Sequence, residues 1–163
     1  LIIIGQEEAA ADAQTRIDTA VRKGAVALFL PNSPLAAAFG LELAEDRFFM
    51  GKLTHSPLLA GLNNGDLYLK EWAEMPVAQA TNGWQILAAP GIVASKDLGA
   101  GKLIGCQLDL GKLGARGKIK ALRFWNILLA NLRVDRGPNA WLLQPAKVWE
   151  ENEFEKMPRY MLW

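Results

Sequence analysis

Cys106 and His55 are the residues of this sequence whose chemistry suits nucleophilic catalysis, as a thiolate and its base. A catalytic cysteine needs an exposed, electropositive setting, often a helix N-terminus, which lowers the pKa of the thiol. Cys106 instead lies between Gly105 and Gln107, within an apolar alternation that predicts a strand. The pattern therefore indicates a small buried side chain that fills the core.

His55 precedes Ser56 and Pro57 in a predicted loop, where it could act as a general base or anchor a ligand. No partner for its imidazole is evident along the chain. This favours a loop residue that hydrogen-bonds to the backbone and fixes the turn. A hydrolase that uses His55 and an acidic partner stays open as a third hypothesis.

Carboxylates occur in two groups, and glycoside hydrolysis needs two carboxyl groups at a fixed separation. We expect most of them to be solvated surface charges. Metal-ligand spacing is absent, and the glycine-rich residues 111–117 lack the Lys-Ser/Thr of a phosphate loop. The sequence thus predicts no catalytic residue, no metal and no cofactor. The carboxylates are Glu42, Glu45 and Asp46 in the first group and Asp66, Glu71 and Glu74 in the second.

The six tryptophans offer faces on which a sugar ring can stack, or anchors for a protein interface. Trp84 begins a predicted strand and Trp125 lies in a predicted buried helix, so we expect both in the core. Trp72 remains a candidate for ligand binding. An interface with another domain is favoured for the rest, because exposed tryptophans clustered on one segment seldom stay bare. These are Trp141, Trp149 and Trp163.

Length and composition are those of a globular domain. The 163 residues suit one domain, with 51% hydrophobic and 21% charged residues and a formal net charge of +1. This charge gives no electrostatic case for a nucleic-acid or membrane partner, and no apolar run approaches the roughly 18 residues of a membrane span. The chain starts at Leu1, without Met and inside an apolar run, so we expect a piece of a longer polypeptide. A single cysteine does not indicate the cellular compartment of the protein, and a longer polypeptide that is periplasmic or secreted is one option.

The start of the chain predicts a β-α-β unit. Residues 1–4 are a β-branched run typical of a strand buried on both faces, residues 7–23 repeat apolar side chains at helical spacing, and residues 25–30 form a second buried strand. Such units cross over right-handed and place parallel strands at the centre of a sheet. Asn32 and Ser33 then lie at the carboxyl end of the second strand, where open α/β sheets bind ligands.

The rest of the pattern completes the predicted architecture. A Gly-containing hairpin turn precedes a strand at residues 102–108, and residues 118–132 form a helix that is apolar almost all round. We expect an α/β fold of three α/β/α layers, with a mainly parallel central sheet and a C-terminal antiparallel hairpin at its edge. Residues 1–134 form this domain, and residues 135–163 form an extended tail containing Trp and Pro. The candidate ligand-binding residues are Asn32, Ser33, His55, Asn63 and Trp72.

Three segments, taken in order, resemble class I glutamine amidotransferase-like domains with a flavodoxin-like α/β fold. Residues 22–31 (RKGAVALFLP) look like the helix, glycine and strand step of that fold. Residues 55–72 (HSPLLAGLNNGDLYLKEW) resemble its trehalose-utilisation-like and β-galactosidase-associated branches. Residues 93–110 (VASKDLGAGKLIGCQLDL) with residues 124–132 (FWNILLANL) are similar to the hairpin and helix that close such domains when they are attached to family 2 glycoside hydrolases. The resemblance covers most of the region up to residue 134.

The sequence departs from the active members of that class at the reactive site. Those members carry a Cys on a sharp strand–helix elbow and a downstream His-Pro-Glu, whereas Pro31, Asn32 and Ser33 follow the strand here and no His-x-Glu occurs. The resemblance therefore implies a scaffold without glutaminase chemistry. In its branch, such domains are accessory parts of carbohydrate-active enzymes whose catalytic carboxylates lie in another domain. A family member would also carry one more strand–helix unit before residue 1.

The leading hypothesis is a non-catalytic accessory domain of a carbohydrate-active glycoside hydrolase, which serves domain packing or oligomer contacts. The alternative is a carbohydrate-binding module that uses loops at the sheet edge, residues 32–34 and 55–64, with a tryptophan beside them. The expected partners are other domains of the same polypeptide. A second copy of the chain and a carbohydrate are further partners that the sequence leaves open.

Overall fold

Eight strands and three α-helices make up the described part of this computed structural model, which is residues 1–5 and 12–134. The strands are β1 (Ile2–Ile4), β2 (Val26–Phe29), β3 (Leu43–Met50), β4 (Lys52–Leu53), β5 (Tyr68–Ala78), β6 (Gln85–Ala89), β7 (Val93–Leu98) and β8 (Gly101–Cys106). The helices are α1 (Ala13–Arg22), α2 (Pro34–Ala38) and α3 (Ala115–Asn131). Short 3-10 turns occupy Pro57–Leu59, Asn64–Leu67 and Leu110–Lys112.

Six strands form one sheet in the order β1-β2-β8-β7-β6-β4. β1, β2 and β8 are parallel, with Leu28 opposite Ile3 on one side and Ile104 on the other. The next three pairings, β8 with β7, β7 with β6 and β6 with β4, are antiparallel. An α/β fold is confirmed, but the sheet is mixed rather than mainly parallel. The reason is that short turns link β6, β7 and β8, and short turns can join only antiparallel neighbours.

The β7–β8 hairpin lies inside the sheet, which corrects the prediction that it forms an edge. β8 pairs with β7 on one side and with β2 on the other, so the edges belong to β1 and β4. Gly99 in the turn has a φ of +63°, and a Cβ there would lie 2.7 Å from the Cα atom of Arg22. The glycine therefore lets the hairpin turn sit directly against the end of α1.

The start of the chain forms the predicted β-α-β unit within the described residues. α1 buries Ile17 and Val21, one helical turn apart, and Gly24 follows its end with a φ of +109°. The described helix begins at Ala13, and residues 6–11, where the sequence predicts its first turns, lie outside the described residues. The predicted tail at 135–163, with three of the tryptophans, lies outside them as well.

Hydrophobic clusters cover both faces of the sheet because successive side chains of a strand point to opposite sides. Leu28 joins a cluster that includes Phe124 and Leu128 of α3. Ala27 and Phe29 join a second cluster with side chains of α1 and α2. The helices therefore lie on opposite faces of the sheet, with α1 and α2 on one face and α3 on the other.

β3 and β5 form a separate two-stranded antiparallel unit, called the ribbon below. Its inner face contributes Phe48, Leu69 and Met75 to the cluster that contains α3. Its outer face carries exposed side chains, among them the candidate residue Trp72. No helix in the described residues has both the length and the apolar character needed to cross a membrane.

Candidate functional site

Cys106 ends β8 inside the core and is completely inaccessible to solvent. Burial raises the pKa of its thiol to about 12 because a thiolate in an apolar environment loses its hydration. A nucleophilic cysteine needs the opposite shift and an exposed sulfur. The prediction that Cys106 is a buried filler is confirmed. Among the described residues, no group of three His, Cys, Asp or Glu side chains is placed to hold a metal ion.

Asn32 and Ser33 follow β2 at the carboxyl edge of the parallel strands, where Asn32 contacts Gln107 at the end of β8. The Asn32 backbone N–H donates to Gln107 Oε1 at 3.2 Å, and Asn32 has a φ of +59°. Ser33 and Gln107 are buried, and neither the Ser33 hydroxyl nor Gln107 Nε2 has a hydrogen-bond partner in the described structure. The structure thus joins Asn32 to Gln107, a residue that no sequence pattern singles out.

His55 and Asn63 lie on the segment between β4 and β5. His55 is exposed in a bend, whereas Asn63 caps the 3-10 turn Asn64–Leu67. Asn63 Oδ1 accepts from the Gly65 backbone N–H at 2.8 Å, and the Asn63 N–H donates to Asp66 Oδ2 at 2.8 Å. The Asn63 side chain therefore holds the turn, a structural duty that leaves its Nδ2 group for other contacts.

The segment that carries His55 and Asn63 is fastened to α3 by polar contacts. Asn131 Nδ2 donates to the carbonyl oxygens of Leu58 at 3.0 Å and Ala60 at 2.9 Å. Arg123 forms an ion pair with the buried Asp66, and Lys120 donates to the Gly65 carbonyl oxygen at 2.6 Å. These contacts fix the loop that leads into β5, and so they set where Tyr68 and Trp72 emerge. Apart from Gly65 and Asp66, the residues that make these contacts are Asn131, Leu58, Ala60, Arg123 and Lys120.

Trp72 lies on the outer face of the ribbon, in an aromatic cluster centred on Phe49. Its ring is 4.9 Å from the ring of Phe49, and the Phe49 ring is 5.9 Å from that of Tyr68, both edge-to-face. The Arg47 guanidinium carbon lies 5.1 Å from the centroid of the Trp72 ring. Trp72 remains 58% exposed, and Met50 beside the cluster is 57% exposed. We call Phe49, Met50, Tyr68 and Trp72 the ribbon cluster.

A large bulge in β5 creates this cluster. Phe48 pairs with Ala73 and Met50 pairs with Tyr68, so Phe49 alone faces the stretch 69–72 of β5. Lys70 in that stretch has a φ of +61°, a left-handed backbone conformation that is uncommon for a residue other than glycine. The bulge brings Tyr68 and Trp72 to either side of Phe49.

Glu71 holds the bulge against α3. Its Oε1 accepts from the Gly117 backbone N–H at 3.2 Å, in the first turn of that helix. A carboxylate suits this position because the free N–H groups of a helix start carry partial positive charge. A Cβ on Gly114 or Gly117 would lie 2.4 or 2.6 Å from the Glu71 carboxylate, so both glycines leave room for it.

The sequence identified Trp72 but not its neighbours Arg47, Phe49 and Tyr68. Along β3 only Phe48 is buried, so strand period places the odd-numbered residues from 43 to 49 on the opposite face; the sequence of the strand does not alternate apolar and polar residues and carries no signal of this. No contact among the described residues connects the ribbon cluster to the polar group at Asn32. The predicted ligand residues are therefore distributed over separate places, of which the ribbon cluster is the most exposed apolar one.

A shallow cleft of about 330 Å³ lies between α1 and the segment after α2. Its cations already have partners: Arg22 Nε is 2.6 Å from Asp18 Oδ2, and Lys96 Nζ donates to the Phe39 carbonyl oxygen at 3.2 Å. The cleft therefore presents paired charges rather than a vacant polar group, and it is a weaker candidate than the ribbon cluster.

Comparisons with known proteins find similarity among solved structures. No family model and no curated protein matches the chain. The β-galactosidase of Bacillus circulans sp. alkalophilus has a TM-score of 0.48 at 11% identity, and that of Rahnella sp. R3 has a TM-score of 0.46 at 12% identity. An exo-β-1,4-mannosidase of Opitutaceae bacterium strain TAV5 has a TM-score of 0.40 at 16% identity.

These structural neighbours are glycoside hydrolases, and each is much longer than this chain. The matches cover 82%, 84% and 74% of this chain but only 22%, 22% and 21% of the respective neighbours. The chain thus spans about a fifth of the length of the proteins that it matches.

Proposed function

We propose that this chain is a non-catalytic accessory domain of a carbohydrate-active glycoside hydrolase, in which it serves domain packing or oligomer contacts. The observation that carries the proposal is the ribbon cluster, an aromatic surface that is exposed although Trp72, Tyr68 and Phe49 are large apolar side chains. Tryptophan, tyrosine and arginine dominate the energetics of protein interfaces. Arg47 completes that set at 5.1 Å from Trp72.

The absence of a reactive thiol supports the non-catalytic part of the proposal. Cys106 is buried and its thiol pKa is raised, while Pro31, Asn32 and Ser33 stand where the resemblance would place an active cysteine. The finer family assignment, an amidotransferase-like, flavodoxin-like domain of three layers over residues 1–134, belongs to the same proposal. Its support is the order of the three resembling segments, together with helices on both faces of the sheet.

Assays of the purified chain on aryl glycosides and on glutamine test the non-catalytic role. We expect no turnover of either substrate above that of a Cys106→Ala variant. Turnover of glutamine that depends on Cys106, or turnover of an aryl glycoside that depends on one of the carboxylates, contradicts the proposal.

Carbohydrate binding is the second candidate, and the exposed ring of Trp72 is the observation that favours it. Glu74 and Arg47 flank the ring and would supply hydrogen bonds to sugar hydroxyl groups. The surroundings of Trp72 favour a protein partner instead, because the Arg47 guanidinium lies over one face of its ring, 5.1 Å from the centroid, where a pyranose would otherwise stack.

Titration with a panel of oligosaccharides, followed by tryptophan fluorescence, separates the two candidates. A response that disappears in Trp72→Ala would favour the carbohydrate-binding candidate. No response over the panel is the outcome that we expect.

A further inference from the structure

One edge of β3 has no strand partner in the described residues. β3 pairs with β5 along its other edge, from Leu43 opposite Ala78 to Met50 opposite Tyr68, and the ribbon contains only these two strands. An open edge presents backbone N–H and C=O groups in a row, and such a row can add a further strand. The Arg47 backbone N–H donates to Asp46 Oδ1 at 2.7 Å, and an added strand would replace that bond.

The outward side chains of β3 follow a pattern that is complementary to itself. Leu43, Glu45, Arg47 and Phe49 occupy this face, because the only buried side chain of the strand, Phe48, is on the other face. Glu45 and Arg47, which carry opposite charges, flank Asp46. The apolar residues Leu43 and Phe49 lie three positions before and after it.

We infer that the β3 edge binds a second copy of this chain, as an antiparallel strand pairing with its two-fold axis at Asp46. This inference rests on the proposed function and specifies the oligomer contact. In this register Glu45 lies opposite Arg47 of the second copy, and Leu43 lies opposite Phe49. Each pair occurs twice, and opposite-charge and apolar cross-strand pairs both stabilise a sheet. The two ribbons then form one four-stranded sheet.

Symmetry and charge distinguish this register from its neighbours. A two-fold axis perpendicular to a sheet keeps each side chain on its own face, so a symmetric pairing can slip only to an axis at another residue of β3. An axis at Glu45 places two glutamates opposite each other, and an axis at Arg47 places two arginines opposite each other. Like charges in these positions are destabilising.

Asp46 lies on the two-fold axis of the proposed pairing and weakens it. In the proposed register the two Asp46 side chains face each other across the axis, on the face opposite to the ion pairs. A charged residue in the middle of an edge strand also discourages pairing with unrelated strands. Removing the charge while keeping the shape, in Asp46→Asn, should therefore tighten the association of two copies, by about threefold.

Charge exchange in the 163-residue chain tests the register, with sedimentation equilibrium as the measurement of dimerisation. Glu45→Arg and Arg47→Glu each create two like-charge pairs, and each should weaken dimerisation by about tenfold or more. The double exchange restores opposite charges and should return the dissociation constant to within about threefold of wild type. Arg16→Glu on α1, which makes the same charge change as Arg47→Glu, is the matched control for that variant and should have no effect.

Folding of the variants is checked separately because Arg47 also contacts Glu74 and Trp72 within its own chain. Glu45→Arg removes neither contact, so its effect on dimerisation is free of that complication. Urea unfolding of each variant shows whether the ribbon is intact. Ribbon damage from Arg47→Glu would be shared by the double exchange, and Glu45→Arg and Asp46→Asn would then decide the question.

The outcomes separate this inference from the proposed function. A chain that stays monomeric up to millimolar concentration, or a double exchange that does not restore association lost in Glu45→Arg, overturns the β3 pairing. The accessory role would then stand on the ribbon cluster and on the substrate assays. Intact charge-dependent dimerisation together with turnover of a glycoside would overturn the non-catalytic role and leave the pairing in place.

Discussion

Replacing Cys106 with alanine tests whether the single thiol is a buried filler or a reactive group. Burial raises the pKa of the Cys106 thiol from its ordinary 9.0 to about 12, and a backbone hydrogen bond at Leu108 offsets part of that shift. Between these values the folded chain keeps a proton that the unfolded chain releases. The resulting stability is fully present below about pH 9 and is lost as the pH rises towards 12, at about 1.4 kcal/mol per pH unit.

Urea unfolding of the wild-type chain and of Cys106→Ala at pH 7 and pH 10 measures this effect. At pH 7 the variant should be less stable by about 1 kcal/mol, because alanine leaves a small cavity in place of the sulfur. At pH 10 the wild-type chain should lose roughly 1 kcal/mol more than the variant, which has no thiol to ionise. The lysine and tyrosine titrations are common to both chains and cancel in the comparison.

A stability difference that is the same at both pH values would refute the burial argument. Thiol labelling of the native chain provides an independent check: the modification should proceed only as fast as the chain unfolds, and it should be complete in urea. Rapid labelling of the folded chain at pH 7 would show an accessible, ionisable sulfur. The argument against a catalytic thiol would then be wrong.

Three further predictions concern the stability of the ribbon and its supports, and urea unfolding measures all of them. A double-mutant cycle with Phe49→Ala and Trp72→Ala should give a coupling free energy of about 0.5–1.5 kcal/mol, and strictly additive effects would contradict the edge-to-face contact. Asp66→Asn should cost about 2 kcal/mol because the buried carboxylate is both ion-paired and part of a cap, whereas Asp18→Asn on the exposed face of α1 should cost less than about 0.5 kcal/mol. Equal losses would contradict the role of burial. Gly91→Ala should cost at least about 1 kcal/mol, since its φ is +146° and a Cβ would lie 2.2 Å from the Ala78 carbonyl oxygen; a neutral effect would contradict that geometry.

Local sequence patterns predict the segments of this chain whose contacts are mostly with residues close in the sequence. The β-α-β start and the β7–β8 hairpin follow from apolar periodicity and from glycines at the turns. The position of that hairpin does not, because it depends on the pairing of Val26 with Lys102, two residues that are far apart in the sequence. A strand buried on both faces has the same composition whether its neighbours are parallel or antiparallel, so the sequence could not show that the sheet is mixed.

The ribbon cluster illustrates the same limit at the level of the candidate site. Trp72 is recognisable as an exposed aromatic, but its contact with Phe49 depends on a bulge that Glu71 fastens to Gly117, 46 residues further along the chain. No pattern within β5 contains that information. The assignment of Glu45 and Arg47 to one face of β3, in contrast, follows from the period of a single strand. The β3 pairing therefore depends on the period of one strand and on the charges of Glu45 and Arg47. The bulge affects the pairing only through the position of Phe49.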